Sequence, residues 1–201
     1  ALAGALLLAG PAVGLEVSVG MLRVDYPGLL PISRLDLPPG DLGLVGAQVA
    51  TQDNDTTGAF TGQDFALEAV AAAPDEAGAA FDALVAQGLR LIVVMARRDD
   101  LLALADAAPE GTLLLNASAP DADLRDAECR ANVLHVAPSD QMLTDALAQF
   151  LVTKRWTEWF LVHGSHPEDR ALAAAFEAAG PAPHDLARLR ERLAAVTPLS
   201  V

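Results

Sequence analysis

His163, Ser165 and His166 stand together in the phrase HGSH, after an apolar run. Imidazole nitrogens bind zinc well, but a zinc site needs a third protein ligand, and only His135 and His184 remain as histidines. The pair therefore reads as two ordinary loop histidines. Asp53, Asp55, Thr57, Gly58 and Asp64 match part of a calcium loop, with oxygen ligands at the first, third and fifth places and glycine at the sixth. The closing glutamate is an aspartate here, and a strand rather than a helix is expected to follow. A helix-terminating turn rich in Asx residues is the stronger reading of this phrase. The sequence has no G-x-S-x-G elbow, no G-x-x-x-x-G-K-[ST] and no G-x-G-x-x-G after its first strand, and Gly40, Gly43 and Gly46 have the wrong spacing. Carboxylates are too plentiful to single out a catalytic pair. These residues point away from an enzyme, and no cofactor or metal is expected.

The elements that would place such residues can be read from periodicity. Leu15–Val24 alternates apolar residues as a strand, and a proline-rich loop follows it to Gly40. Asp41 to Asn54 has helical spacing, with Asp41 as N-cap and Gly58 beyond the end. Phe65 to Val70 reads as a strand, Asp75 to Gln87 as a helix ended by Gly88, and Leu89 to Met95 as a strand covered on both faces. A helix at Asp99 to Ala107, strands at Thr112 to Leu115 and Asn132 to Val136, a helix at Pro138 to Thr153 and a strand at Glu158 to His163 follow. The Pro138 to Thr153 helix carries Leu143, Leu147 and Phe150 on one face. From Ala171 to the end the pattern is helical, broken by Pro181 and Pro183. Strands alternating with helices predict an α/β fold with a doubly wound parallel sheet flanked by helices. In such a sheet the ligand loops follow the carboxyl ends of the strands, here Asp25 to Tyr26, Ala96 to Asp99, Asn116 to Pro120, Ala137 to Asp140 and Gly164 to His166.

Composition agrees with a packed interior: 52% of the 201 residues are apolar and 20% charged. The net charge of −14 disfavours nucleic acid and anionic lipid as partners. All of the excess lies in residues 1–150, with 7 Lys/Arg against 21 Asp/Glu, while residues 151–201 hold 6 of each. The opening ALAGALLLAGPAVG (Ala1 to Gly14) reads as a signal-peptide remnant, with Ala12 and Gly14 before a cleavage point and Leu15 as the mature start. A buried first strand or helix is the alternative. Cys129 is the single cysteine and reads as a small packed hydrophobe.

Several longer phrases resemble the type I periplasmic substrate-binding proteins of ABC transporters, the superfamily of the branched-chain amino acid receptors. They are GLVGAQVATQDNDTTGAFTGQDFAL (Gly43 to Leu67), AAFDALVAQGLRLIVV (Ala79 to Val94), LLLNASAPDADLR (Leu113 to Arg125) and the run from His135 to Phe176. The phrases DNDTTG and Cys129-Arg130-Ala131-Asn132 look most like the subgroup associated with PQQ-dependent alcohol dehydrogenase systems. The resemblance implies a signal remnant at 1–14, an N-terminal ligand-binding lobe at 15–153, and at 154–201 the start of a second lobe with a helical tail, that lobe being incomplete. Carried over by position, the ligand contacts are Arg97, Arg98, Asn116, Ala117, Ser118 and Ala119, with Tyr26 as a cleft aromatic and Ser165 contributing from the second lobe. Backbone N–H groups of Ala117 to Ala119 would bind an anionic group. One arginine would add a bidentate contact to a carboxylate, unless both pair with Asp99 and Asp100 on the surface. Amino acid receptors use a hydroxyl residue where this chain has Ala96, Arg97 and Arg98, which argues against an amino acid ligand. Trp156 and Trp159 are expected to pack rather than bind.

The resemblance thus implies an exported, periplasmic protein that captures a small polar or anionic solute without chemistry and delivers it to an ABC permease in the inner membrane. A protein-interaction or sensory role for the same lobe is the rival reading.

Overall fold

The computed structural model describes residues 14–28, 33, 35, 37–156 and 159–179. The expected signal segment up to residue 13, Glu158, and the tail beyond Ala179 with Pro181, Pro183 and His184 lie outside the described residues. The chain divides into two compact units, Ala1–Ala119 with Arg130–Val136, and Pro120–Cys129 with Ala137–Val201.

The first unit is a five-stranded, wholly parallel sheet. Its strands are β1 (Leu15–Val24), β2 (Gln63–Ala72), β3 (Leu91–Met95), β4 (Leu113–Asn116) and β5 (Val133–His135), in the order β2-β1-β3-β4-β5. Helices α1 (Leu44–Thr61), α2 (Ala77–Ala86) and α3 (Arg98–Ala107) make the connections. This is the expected doubly wound α/β architecture. The order reverses at β1, so the loops leaving β1 and β3 open side by side, the place where such sheets leave a crevice. Met21, Leu22, Phe81, Leu84, Ile92, Val94, Leu101 and Leu114 are all but sealed from solvent and form the core. In β3, Ile92 and Val94 are fully buried, whereas Leu91, Val93 and Met95 are only half-buried. The strand is closed on one face and partly open on the other, not covered on both as expected.

The larger departure is α1. It runs to Thr61 instead of ending near Asn54, and its N-cap is Gly43 rather than Asp41. Gly43 sits at φ +80, a left-handed backbone that costs glycine nothing. Asp53, Asp55, Thr57 and Gly58 are therefore helical, which overturns both the calcium-loop reading and the turn reading of this phrase. The polar side chains serve the helix. Thr57 Oγ1 donates to the Asp53 carbonyl at 3.3 Å, and the Asp55 carboxylate accepts from Phe65 N at 3.1 Å as β2 begins. Gly58 is buried where a Cβ would lie 2.2 Å from the Gln63 carbonyl oxygen, so only glycine lets α1 approach β2 this closely. The helix stops at Gly62, in the left-handed region with its N–H on Gly58 O.

Near the start of β5, Arg130 makes two contacts with Asp106 (Nε to Oδ1 2.6 Å, Nη2 to Oδ2 3.2 Å), and Asn132 Nδ2 donates to the Ala105 carbonyl at 2.8 Å. The Arg130 guanidinium holds the Asp106 carboxyl below its ordinary range. Both residues of the Cys-Arg-Ala-Asn phrase thus tie β5 to α3. Cys129 is exposed, contrary to the packed role expected of it.

The second unit contains α4 (Asp140–Thr153) and α5 (Pro167–Ala179). This unit takes α4 together with α5. Ser139 caps α4, its hydroxyl accepting from Met142 N at 3.2 Å. The residues α4 buries are the small Thr144 and Ala148, while Leu143, Leu147 and Phe150 stay about half exposed. Trp159 packs on Phe176 with ring centroids 5.0 Å apart, as expected, but Trp156 is exposed. Among the described residues, 159–163 form no strand, correcting the one expected over Glu158 to His163. An apolar run alone does not make a strand; it needs a neighbour to complete the ladder.

Asp140, the first residue of α4, has its carboxyl pushed up by partial burial and by the charges of Asp121 and Glu168. Its folded pKa therefore lies above the unfolded value near 4. The stabilisation this gives is full below that value and is lost as pH rises through the raised folded pKa. Asp140→Asn is expected to raise the unfolding temperature at pH 7 and to change it little at pH 3.5, as followed by circular dichroism. Equal effects at the two pH values would reject the electrostatic cause.

Candidate functional site

Because every strand is parallel, the loops after β1, β3, β4 and β5 all leave from one edge of the sheet. Of the eight residues singled out from sequence and resemblance, Arg97, Ala117, Ser118 and Ala119 fall on the loops after β3 and β4, Arg98 opens α3, Asn116 ends β4, and Tyr26 follows β1. Ser165 belongs to the second unit, where its carbonyl accepts from Arg170 close to the start of α5.

Tyr26 and Arg97 meet across the crevice between β1 and β3. The Arg97 guanidinium carbon lies 4.3 Å from the centroid of the Tyr26 ring, a cation–π arrangement. The Tyr26 hydroxyl accepts from Arg97 N at 2.8 Å and donates to the Asp100 carboxylate. Burial, with that carboxylate next in weight, pushes the phenol pKa up to about 12, so Tyr26 stays a neutral donor at any ordinary pH. Arg98 is drawn to its neighbour Asp99, Nη1 to Oδ1 at 2.6 Å. Arg98 thus makes the surface pair expected of it, and Asp100 accepts from Tyr26. Behind this pair, Arg23 makes a bidentate contact with Asp25 (Nε 2.7 Å, Nη2 3.0 Å) and its Nη1 donates to the Leu42 carbonyl at 3.0 Å. That contact fixes the end of β1 to the turn before α1.

The Asn116 to Ala119 turn is ordered from within. Asn116 is fully buried. Its Oδ1 accepts from Ala119 N at 2.9 Å and Ser118 N at 3.2 Å, and its Nδ2 donates to the Ala119 carbonyl at 2.8 Å. The same Nδ2 lies 3.0 Å from His135 Nδ1. Since two N–H groups fix the amide oxygen, the Nδ2 faces the imidazole as donor, and Nδ1 must be the unprotonated nitrogen. Ala117 N donates to the Val94 carbonyl at 3.0 Å. All three N–H groups of the turn are engaged inside the protein, which corrects the expectation that they bind an anion. Asn116 and the buried Ala119 shape the loop from beneath. Exposed Ser118, whose Oγ donates to the Ala96 carbonyl at 3.0 Å, ties this loop to the one carrying Arg97.

Sequence reasoning missed Arg23 and the site role of His135, and it named Asp25 only as a loop end and Asp100 only as a surface partner of the arginines, not of Tyr26. Arg23 had a visible signal, a charge one place from the end of an apolar strand. Asp100 and His135 had none, because their partners lie 74 and 19 residues away. Among the described residues no three His, Cys, Asp or Glu side chains converge as a metal site. No helix among them is long and apolar enough to cross a membrane.

Solved structures of ABC transporter solute-binding proteins share this parallel-sheet fold. An ABC transporter substrate-binding protein from Desulfitobacterium hafniense matches with a TM-score of 0.63 and 22% identity, over 90% of this chain and 55% of its own. The leucine-, isoleucine-, valine-, threonine- and alanine-binding protein of Brucella ovis matches at 0.63 and 15%, over 92% and 52%. A solute-binding protein of an R. palustris ABC transporter, solved in complex with benzoate, matches at 0.55 and 14%, over 89% and 51%. The chain spans about half the length of these structures. In sequence, the family described as periplasmic binding protein matches residues 39–184, and the chain belongs to that family. No curated protein matches it.

Proposed function

We propose that this chain is the substrate-binding component of an ABC transporter, capturing a small anionic solute in the periplasm without chemistry and passing it to an inner-membrane permease. Residues 15–153 form its ligand-binding lobe, and 154–201 begin a second one. The observation that carries this reading is Arg97 seated on Tyr26 at the switch point of the sheet, in a member of the periplasmic binding protein family. Relatives of this fold were solved with leucine and with benzoate, and both molecules carry a carboxylate. A guanidinium offers two parallel N–H groups to such a group, and the Tyr26 face keeps the guanidinium plane oriented. Arg98 and the Ser118 hydroxyl line the same mouth, above a loop shaped by Asn116, Ala117 and Ala119. The DNDTTG and Cys-Arg-Ala-Asn phrases favour the subgroup that serves PQQ-dependent alcohol dehydrogenase systems.

The test is thermal unfolding and calorimetric titration with leucine, benzoate, 3,4-dihydroxybenzoate, short aliphatic carboxylates and PQQ. One carboxylate is expected to raise the unfolding temperature. Arg97→Ala should weaken that compound about tenfold or more, and Arg97→Lys should restore little of it. Binding that survives Arg97→Ala unchanged would move the site elsewhere.

A further inference from the structure

β2 ends the sheet, and its outer edge has a direction that the hydrogen bonds define. Leu15 N donates to Gly62 O at 2.9 Å and Asp25 N to Ala72 O at 2.8 Å, so the even-numbered positions of this stretch turn their backbone groups toward β1. Alternation then turns the N–H and C=O of the odd positions outward. Phe65 N is covered by the Asp55 carboxylate at 3.1 Å, which marks the same outward direction. Among the described residues, β2 pairs only with β1, so Leu67, Ala69 and Ala71 present an unpaired row to solvent. Beside that row lies an open groove of about 370 Å³ lined by Gln48, Thr51 and Gln52 of α1 and Leu67, Glu68 and Ala69 of β2.

Sheet edges are usually blunted by lysine, proline or a bulge. Gln63–Ala72 has no lysine, proline or glycine and keeps unbroken register with β1 over ten residues. What it carries instead is negative charge. Residues 37–89, which include α1, β2 and α2, hold eight acidic side chains and no Lys, Arg or His. A second copy of the chain would bring the same uncompensated charge to this edge and be repelled, whereas a basic strand would be attracted.

We propose that the outer edge of β2 docks an extended, lysine- or arginine-rich polypeptide segment, which adds to the sheet as a further strand beside the Gln48 and Gln52 groove. The open N–H and C=O groups of Leu67, Ala69 and Ala71 supply the ladder. The groove amides give the incoming chain polar contacts along one side, and exposed Glu68 with the surrounding carboxylates selects its charge. This surface lies mid-strand and is independent of the solute site.

The probe is a fluorescein-labelled octapeptide of alternating threonine and lysine, titrated into the full chain by anisotropy. It is compared with the threonine–glutamate octapeptide and with a lysine peptide of equal charge in which prolines replace the threonines. Strand addition predicts that the threonine–lysine peptide binds about tenfold or more tighter than either comparison. Ala69→Pro should give a similar loss, because it removes one outward N–H and leaves the bonds to β1 in place. Equal binding of the two lysine peptides would reduce the effect to diffuse charge attraction and overturn the proposal. If Ala69→Pro does not fold by circular dichroism, the proline comparison on the parent chain decides alone.

Discussion

Phe81→Ala is expected to remove about 3–5 kcal/mol from the folding stability of the first unit, the largest loss available from any one side chain of its core. Phe81 is fully buried on α2, a ten-residue helix whose other buried residues are Leu84 and Ala77. α2 lies against β1 and β2, and its remaining positions are exposed Asp82 and alanine, glycine and valine too small to fill a vacated ring. The cost is therefore transfer of the ring to water plus a cavity that cannot collapse. Against a domain stability of about 5–15 kcal/mol this is a large fraction. Urea unfolding should show a lower midpoint with little change in slope. Phe60 supplies the control within the same chain: it is 89% exposed near the end of α1, and Phe60→Ala should cost less than about 0.5 kcal/mol. Similar losses at the two positions would mean that α2 is not the packed element described.

Much of the fold was legible because a parallel sheet writes itself as apolar runs between helices. β1 was bounded to the residue, and the ends of the other strands moved by at most two residues. Where the reading failed, long-range geometry outweighed local preference. Asn, Asp, Thr and Gly near Asp53 favour turns in isolation. In the fold the same residues continue α1, because Gly58 allows close approach to β2 and Asp55 caps Phe65. The strand expected over Glu158 to His163 rested on an apolar run, but a ladder partner is not a local property. At the site, Tyr26 and Arg97 were named separately as ligand contacts. Their stacking depends on β1 and β3 being neighbours, which the chain order alone does not say. Asn116 was legible as a special residue at the end of an apolar strand. Its clamp on Ser118 and Ala119 was not legible, since an asparagine that binds a solute and one that clamps its own loop look alike in sequence.

That clamp can be tested directly. Asn116→Ala strips Ala119 N, Ala119 O and Ser118 N of their partner, and Ala119 is buried so deeply that water cannot replace it. With about 1–3 kcal/mol for each buried group left unpaired, and some relief at exposed Ser118, a loss of about 2–4 kcal/mol is expected. Asn116→Asp separates the two halves of the interaction. It keeps the oxygen that accepts from Ser118 and Ala119 but turns a second oxygen toward the Ala119 carbonyl and His135 Nδ1. Acceptor then faces acceptor while the new carboxyl is ionised, and a proton on that carboxyl or on the imidazole restores a donor. The Asp variant should therefore be as damaged as the Ala variant at pH 8 and recover part of the loss near pH 5, whereas the Ala variant should lose the same amount at both. A carboxylate that raises the unfolding temperature of the parent should fail with Asn116→Ala even where most of that protein is folded, because the loop bearing Ser118 and tied to Ala96 has lost its support. Retention of both stability and binding in Asn116→Ala would show that the turn holds its shape without the amide, whereas unchanged stability with lost binding would return Asn116 to the list of direct solute contacts.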